Sequence, residues 1–270
     1  MDLDIFSVNN FNRRCATYCS CFINKRLHYQ NIELNSRYCR GVLFDSLDLI
    51  CNLKENQNFK ECDKFIKIIE NEDGFKYPYT IYFSTNVEYQ GNIKNDMLEG
   101  PGQIFINNNI YYIGEFKENR FHGKGTILSI FCDRYDGEFY EGYVNGYGKI
   151  RWCNGSTYQG NFKKNLISGY GYYKYRNRNG TYALYEGYFK NGLRSGKGKY
   201  TSIKENNIID FISDFWENDF INKTGEIIFR DRSYIYKGCL STFYSEREPT
   251  QFRILPNRIG TLYYENGNIK

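Results

Sequence analysis

One phrase of apolar and polar positions recurs seven times between Tyr89 and Leu240: aromatic, any residue, glycine, any residue, aromatic or aliphatic. The clearest copies are Tyr112-Ile-Gly114-Glu-Phe116, Tyr135-Asp-Gly137-Glu-Phe139, Tyr158-Gln-Gly160-Asn-Phe162 and Tyr185-Glu-Gly187-Tyr-Phe189. The first four copies open at Tyr89, Tyr112, Tyr135 and Tyr158, a constant step of 23 residues. A fixed period of this size marks one supersecondary unit copied in a row. A second glycine pair follows each opening aromatic: Gly100/Gly102, Gly123/Gly125, Gly146/Gly148, Gly169/Gly171 and Gly196/Gly198. Turn formers lie between the two glycine groups, at Asn95-Asp96, Glu118-Asn119, Glu141-Gly142, Lys164-Asn165 and Asn191-Gly192. A β-rich run such as Gln103-Ile-Phe-Ile106 closes the unit.

Each unit therefore reads strand, turn, strand, a β-hairpin. Strand side chains alternate, so aromatic, glycine and aromatic share one face. The glycine predicts room for a ring from the neighbouring strand to lie across the backbone. A lone hairpin is marginal in water, so the units must stack edge to edge. Two worn copies, Ile212-Ser-Asp-Phe-Trp216 and Tyr236-Lys-Gly238-Cys-Leu240, extend the array over residues 80–240. The step of 27 from Tyr158 to Tyr185 fits a longer turn at Arg176-Asn-Arg-Asn-Gly180. Residues 241–270 predict an irregular segment with Pro249 and Pro256, then a half unit from Gly260 to Lys270. That half unit leaves a sheet edge, which predicts a homodimer through the C-terminal edge.

The first 79 residues carry no clean copy and are expected to form either degenerate repeats or a cap over the sheet edge. Phe59, Cys62, Phe65, Ile66 and Ile69 fall at helical spacing before Asp73-Gly74, which predicts a short helix near 58–72. Thr80-Ile-Tyr-Phe83 predicts a strand leading into the array. The fold class expected is thus all-β, an elongated, twisted antiparallel meander of hairpins behind a short helix-containing cap.

Composition supports this. Aromatics make up 19% of the 270 residues, with 27 Tyr and 21 Phe, and they suit pleated, half-buried surfaces. The N-terminus has no basic segment followed by an apolar core, and no stretch is long and apolar enough to span a bilayer. Asp2 rules out N-terminal myristoylation. A cytoplasmic protein with nine reduced cysteines is the expectation, with peripheral attachment to membrane or cytoskeleton as an option.

These residues resemble the MORN repeat family (membrane occupation and recognition nexus), whose consensus runs roughly Tyr-Glu-Gly-Glu-Trp-Lys-Asn-Gly-Lys-Arg-His-Gly-Lys-Gly. The copy most similar to it is Tyr112-Ile-Gly-Glu-Phe-Lys-Glu-Asn-Arg-Phe-His122-Gly-Lys-Gly125. Phe usually replaces the consensus Trp here, and the last two copies lose glycines. The resemblance implies a scaffold for protein–protein interaction, with roles at membrane–cytoskeleton junctions, axonemes or division structures. It also brings a regulatory alternative, because MORN arrays precede lipid-kinase and methyltransferase domains in some families. No such domain follows within these residues, so that role requires either that the chain is truncated here or that it acts in trans.

Charge changes the functional picture. Residues 158–200 hold nine cations and a single acid, Glu186, for a net +8, while the rest of the chain is slightly acidic. The cations are Lys163, Lys164, Lys174, Arg176, Arg178, Lys190, Arg194, Lys197 and Lys199. Lys174, Arg176 and Arg178 share one face if the strand runs through them. This pattern points to docking of an acidic protein or of anionic lipid headgroups such as phosphoinositides. The bland reading is a solvated face that discourages edge-to-edge aggregation. Nucleic acid is disfavoured, because the interleaved aromatics keep the phase of the repeat and are needed for packing.

Other chemistry has little support. Cys15, Cys19, Cys21 and His28 do not match a zinc spacing, so neither metal nor cofactor is expected. Arg13-Arg14 beside these cysteines would also suit reversible S-acylation. Gly196-Lys-Gly198-Lys and Gly146-Tyr-Gly148-Lys mimic phosphate loops, but they recur with the hairpins. Of the two histidines, His122 stands at the family's consensus His and His28 has no evident triad partner. The chain is expected to be no enzyme.

Overall fold

In a computed structural model, the described residues are 67–264 apart from 85–86, 130–132, 177–181, 205–206, 222, 231–233 and 245–251. They form strands β1 (Lys67–Glu70), β2 (Tyr79–Ser84), β3 (Val87–Lys94), β4 (Met97–Ile106), β5 (Asn109–Lys117) and β6 (Arg120–Leu128). These continue into β7 (Arg134–Tyr140), β8 (Tyr143–Arg151), β9 (Thr157–Lys163), β10 (Leu166–Arg176), β11 (Tyr182–Lys190) and β12 (Leu193–Lys204). The last five are β13 (Asn207–Glu217), β14 (Phe220–Ile221), β15 (Thr224–Phe229), β16 (Tyr234–Tyr244) and β17 (Phe252–Tyr264). Each strand from β1 to β13 pairs antiparallel with the next. The two-residue β14 also pairs with β13. β15 returns to β13, and β16 and β17 complete the sheet. The meander of hairpins is therefore the observed fold.

The turns follow from their sequences. Both central residues have positive φ at Asn95-Asp96, Glu118-Asn119, Glu141-Gly142, Lys164-Asn165, Asn191-Gly192 and Asn218-Asp219. This is the type I′ geometry whose twist matches that of paired strands. The five turns after the first also fold onto the preceding hairpin: Asn119, Gly142, Asn165, Gly192 and Asp219 donate backbone N–H to the carbonyls of Leu98, Phe121, Val144, Ile167 and Arg194. Asn119 and Asn165 add a side-chain acceptor for the N–H of Leu98 and Val144, at 2.7 and 2.8 Å. The first glycine of the second pair sits in the left-handed region in all five clear units, beside a bulge in the ladder.

The remaining glycines form one line across the sheet. Gly91, Gly102, Gly114, Gly125, Gly137, Gly148, Gly160, Gly171, Gly187 and Gly198 are each opposite the next. Over each pair lies the unit's opening tyrosine. A Cβ on Gly148 would stand 2.7 Å from Cζ of Tyr135, and one on Gly102 would stand 2.7 Å from Cε2 of Tyr89. The ring thus covers a glycine of its own strand as well as one on the neighbouring strand, which is one glycine more than expected. Its hydroxyl donates to the carbonyl three residues on, as from Tyr89 to Asn92 (2.7 Å) and Tyr158 to Asn161 (3.0 Å).

Edge-to-face contacts join the units. Phe116 meets both Tyr89 and Tyr112, Phe139 both Tyr112 and Tyr135, and Phe162 both Tyr135 and Tyr158. Phe189 joins Tyr158 to Tyr185, and Trp216 caps Tyr185. Centroids in this ladder lie 5.0–5.4 Å apart, within the favourable range for such pairs. The second aromatic of each unit therefore covers the tyrosine of the unit before it.

Three expectations need correction. The helix near 58–72 gives way, over its described part, to β1, where Ile68 and Ile69 pair with Ile81 and Thr80. A β-branched pair beside an available strand edge wins over a weak helical period; residues 58–66 lie outside the described part. The sixth unit opens at Phe211 rather than Ile212: Ser213 stands opposite Gly198, and Phe211 opposite Tyr200. One extra residue in β13 then turns Asp214 and Phe215 outward and returns Trp216 to the core. Finally, the segment read as irregular supplies the end of β16 and the start of β17, with Pro256 opposite Leu240.

A buried carboxylate makes one local test possible. Asp133 is 6% exposed and accepts the N–H of Cys153 at 2.8 Å. Burial pushes its carboxyl up from the ordinary range, against the hydrogen bond from Cys153. A raised folded value favours the protonated form, so the fold is most stable below about pH 4 in this respect and loses stability as Asp133 ionises. Asp133→Asn keeps the acceptor and removes the charge. Its melting temperature at pH 7 should rise by a few degrees, and the gain should vanish in acid.

Candidate docking face

Strand alternation sorts the predicted cations. Tyr158, Gly160 and Phe162 of β9, and Tyr185, Gly187 and Phe189 of β11, point to the aromatic ladder and are buried. Their neighbours point to the opposite face. Register then builds two rows there. One runs Lys149, Gln159, Tyr172, Glu186, Lys199 across β8 to β12. The other runs Arg151, Thr157, Lys174, Leu184, Thr201, Asp210 across β8 to β13.

Between these rows lies a groove of ≈ 430 Å³. Lys149, Lys174, Lys199 and Arg230 line it together with Tyr172 and Leu184. Ile203 and Ile208, opposite each other on β12 and β13, extend its apolar side. Asp210 lies beneath, its side chain 2% exposed. It accepts from Thr201 at 2.6 Å, Arg230 at 2.7 Å and Lys199 at 3.2 Å. Burial alone would raise its carboxyl, but these hydrogen bonds outweigh it and hold the group below the usual range. Two cations thus share one carboxylate. Lys174 places its ammonium 3.8 Å from the centre of the Tyr182 ring. Lys149 stands opposite Asp136, which Arg134 already holds at 2.7 Å. Glu186 accepts the hydroxyl of Tyr170 at 2.7 Å, and this bond keeps that phenol protonated well above its ordinary range.

The nine predicted cations do not form one patch. Lys174 and Lys199 face the groove. Lys163 and Lys164 stand exposed at the β9–β10 turn and Lys190 at the end of β11, so they mark the turn edge of the sheet. Arg176 is exposed at the far end of β10. Lys197 reaches Asp214 at 3.8 Å, an exposed pair of little energetic weight. Arg178 lies outside the described residues.

Arg194 does not belong to any docking surface. It is 3% exposed and occupies the slot filled by Leu98, Phe121, Val144 and Ile167 in the other units. Its Nε donates to Asp219 at 2.9 Å, and its guanidinium lies 4.6 Å from the Trp216 ring. Phe121 stacks flat on Tyr112 at 3.7 Å in the corresponding place. A planar, delocalised cation suits such an aromatic slot once its charge is paired. The residues that local charge counting missed are Lys149 and Arg230, brought in from β8 and from the turn after β15. The signal present in the sequence was Lys149's in-phase position one residue after Gly148.

Among the described residues, no group of three or more His, Cys, Asp or Glu side chains is arranged to hold a metal ion. Cys15, Cys19, Cys21 and His28 lie outside them. Five segments of the chain, residues 89–109, 112–129, 135–157, 158–180 and 185–204, match the family model of the MORN repeat. No curated protein matches the chain.

Proposed function

We propose, from the premise that this chain is a MORN-repeat protein, that it is a non-catalytic scaffold whose basic face docks an acidic protein partner. The supporting observation is the concentration of outward-facing cations on β8 to β12, over strands whose backbone is fully paired on both sides. Recognition there rests on side chains rather than on added strands. Complementary charge raises the encounter rate and selects partners more than it adds raw affinity.

A membrane tether is the second reading. It is favoured by Lys163, Lys164 and Lys190, which project from the turn edge where a flat anionic surface could meet them. Each such cation contributes about 1 kcal/mol near an anionic leaflet. Regulation of a lipid kinase or methyltransferase in trans would use the same surfaces.

The test is proximity labelling in the protein's own cell, comparing the wild type with Lys149→Glu/Lys174→Glu. Under the scaffold reading, the labelled protein neighbours change and no lipid-surface proteins replace them. An unchanged neighbour set overturns it. For the tether, sedimentation with phosphatidylserine vesicles should fall roughly a hundredfold in Lys163→Glu/Lys164→Glu/Lys190→Glu, and fall with added salt.

A further inference from the structure

The groove on the face opposite the tyrosines is more than a charged surface. Its cations stand around an apolar floor. Leu184 is 38% exposed at its centre, and the Tyr172 ring is 53% exposed beside it. A contiguous apolar floor rimmed by charged side chains is the pattern of an interaction site. Lys149 and Lys174 make no ion pair among the described residues, while Lys199 and Arg230 share the single carboxylate of Asp210. Glu186 is the acid among the lining residues, and Asp136, held by Arg134, stands opposite Lys149. Positive charge therefore exceeds negative around the floor.

We propose that this groove binds a short, extended acidic peptide segment carrying one large aliphatic side chain. The aliphatic group seats on Leu184 against Tyr172, and the flanking carboxylates meet Lys149 and Lys174. The groove's size falls within the roughly 300–1,000 Å³ of sites for small ligands, so it takes a few residues and not a folded surface. This deepens the acidic-partner reading and rests on it. A lipid headgroup would satisfy the cations but would leave the floor uncovered, because the floor lies in mid-sheet between rows of interior strands.

The experiment uses fluorescence anisotropy with the full chain and a labelled heptapeptide, Glu-Asp-Glu-Leu-Glu-Asp-Glu. The wild type should bind it in a salt-sensitive way. Replacing the peptide's Leu with Ser should weaken binding about tenfold, the order expected for uncovering one aliphatic side chain. Leu184→Asp in the protein should do the same, with Leu184→Ser as the milder variant and circular dichroism to confirm the fold. Lys149→Glu/Lys174→Glu should weaken it at least tenfold and flatten the salt dependence. If these groove variants bind like wild type while Lys163→Glu/Lys164→Glu/Lys190→Glu does not, the groove inference falls and the acidic-partner reading stands at the turn edge. If the wild type ignores the peptide but sediments with phosphatidylserine vesicles, both fall.

Discussion

Gly148→Ala should destabilise the array by about 3 kcal/mol or more, a large cost for one methyl group. Backbone strain is not the reason. Gly148 does not lie in the left-handed region, unlike Gly142 or Gly192. The reason is the ring of Tyr135, whose Cζ would stand 2.7 Å from the new Cβ. That ring cannot move aside. Phe139 and Phe162 hold it edge-on at 5.3 Å, and its hydroxyl is bound to the carbonyl of Glu138 at 3.1 Å. Displacing it breaks two aromatic contacts of about 0.5–1.5 kcal/mol each and one buried hydrogen bond of about 1 kcal/mol. The comparison is Gly192→Ala. Nothing lies within 4 Å of a Cβ there, but φ is 87°, so the cost is the left-handed penalty of about 1–2 kcal/mol. Chemical denaturation of both, and of Gly148→Ala in a Tyr135→Leu background, decides the matter. Smaller Leu should absorb most of the added methyl. Equal costs in the two backgrounds would show that the ring is not what the glycine makes room for.

Above pH 10 the array should unfold within about two pH units, in one cooperative step. Tyr89, Tyr112, Tyr135, Tyr158 and Tyr185 are at most 1% exposed. Burial raises each phenol well above its ordinary range. The sign follows directly. In the unfolded chain these groups ionise near pH 10, while in the fold they stay protonated. Their stabilisation is complete below that value and is lost as pH rises above it. Each contributes a slope of about 1.4 kcal/mol per pH unit, so five contribute about 7, against a total stability of about 5–15 kcal/mol. Phenolate absorbance from these rings should rise together with the loss of β-sheet circular dichroism. Ionisation of all tyrosines ahead of any loss of sheet signal would refute the burial argument. Tyr135→Phe should lower the slope by about one fifth.

The period, the turns and the tyrosine–glycine pairing were all legible in the sequence, because each depends on neighbours within one or two hairpins. Asn95-Asp96 and Asn191-Gly192 adopt positive φ where their residue types say they should. What stayed hidden depends on distant partners. Arg194 read as a surface cation because Asp219 and Trp216, which pair its charge and cover its plane, come 25 and 22 residues later. The sixth unit was misphased because Ile212 matched the opening slot, while the register is set by Gly198 on β12. The groove drew Lys149 and Arg230 from opposite sides of the basic stretch, which no count over a continuous window can reveal. At the N-terminal side, helical spacing misled because β2 offers residues 67–70 an edge to join.

Tyr236 is the last opening tyrosine among the described residues. Its hydroxyl reaches Cys239 at 3.3 Å, longer than the corresponding bond in the five clear units, and its ring is only partly buried. A tyrosine is sealed by the aromatic of the following unit, so the array has a direction. During synthesis the ribosome delivers the units in that same direction. A hairpin that folds as it emerges would keep its ring open until the next has left the exit tunnel. A chain folding in this way would mature one repeat behind its own elongation, with a single unfinished rung at the growing tip.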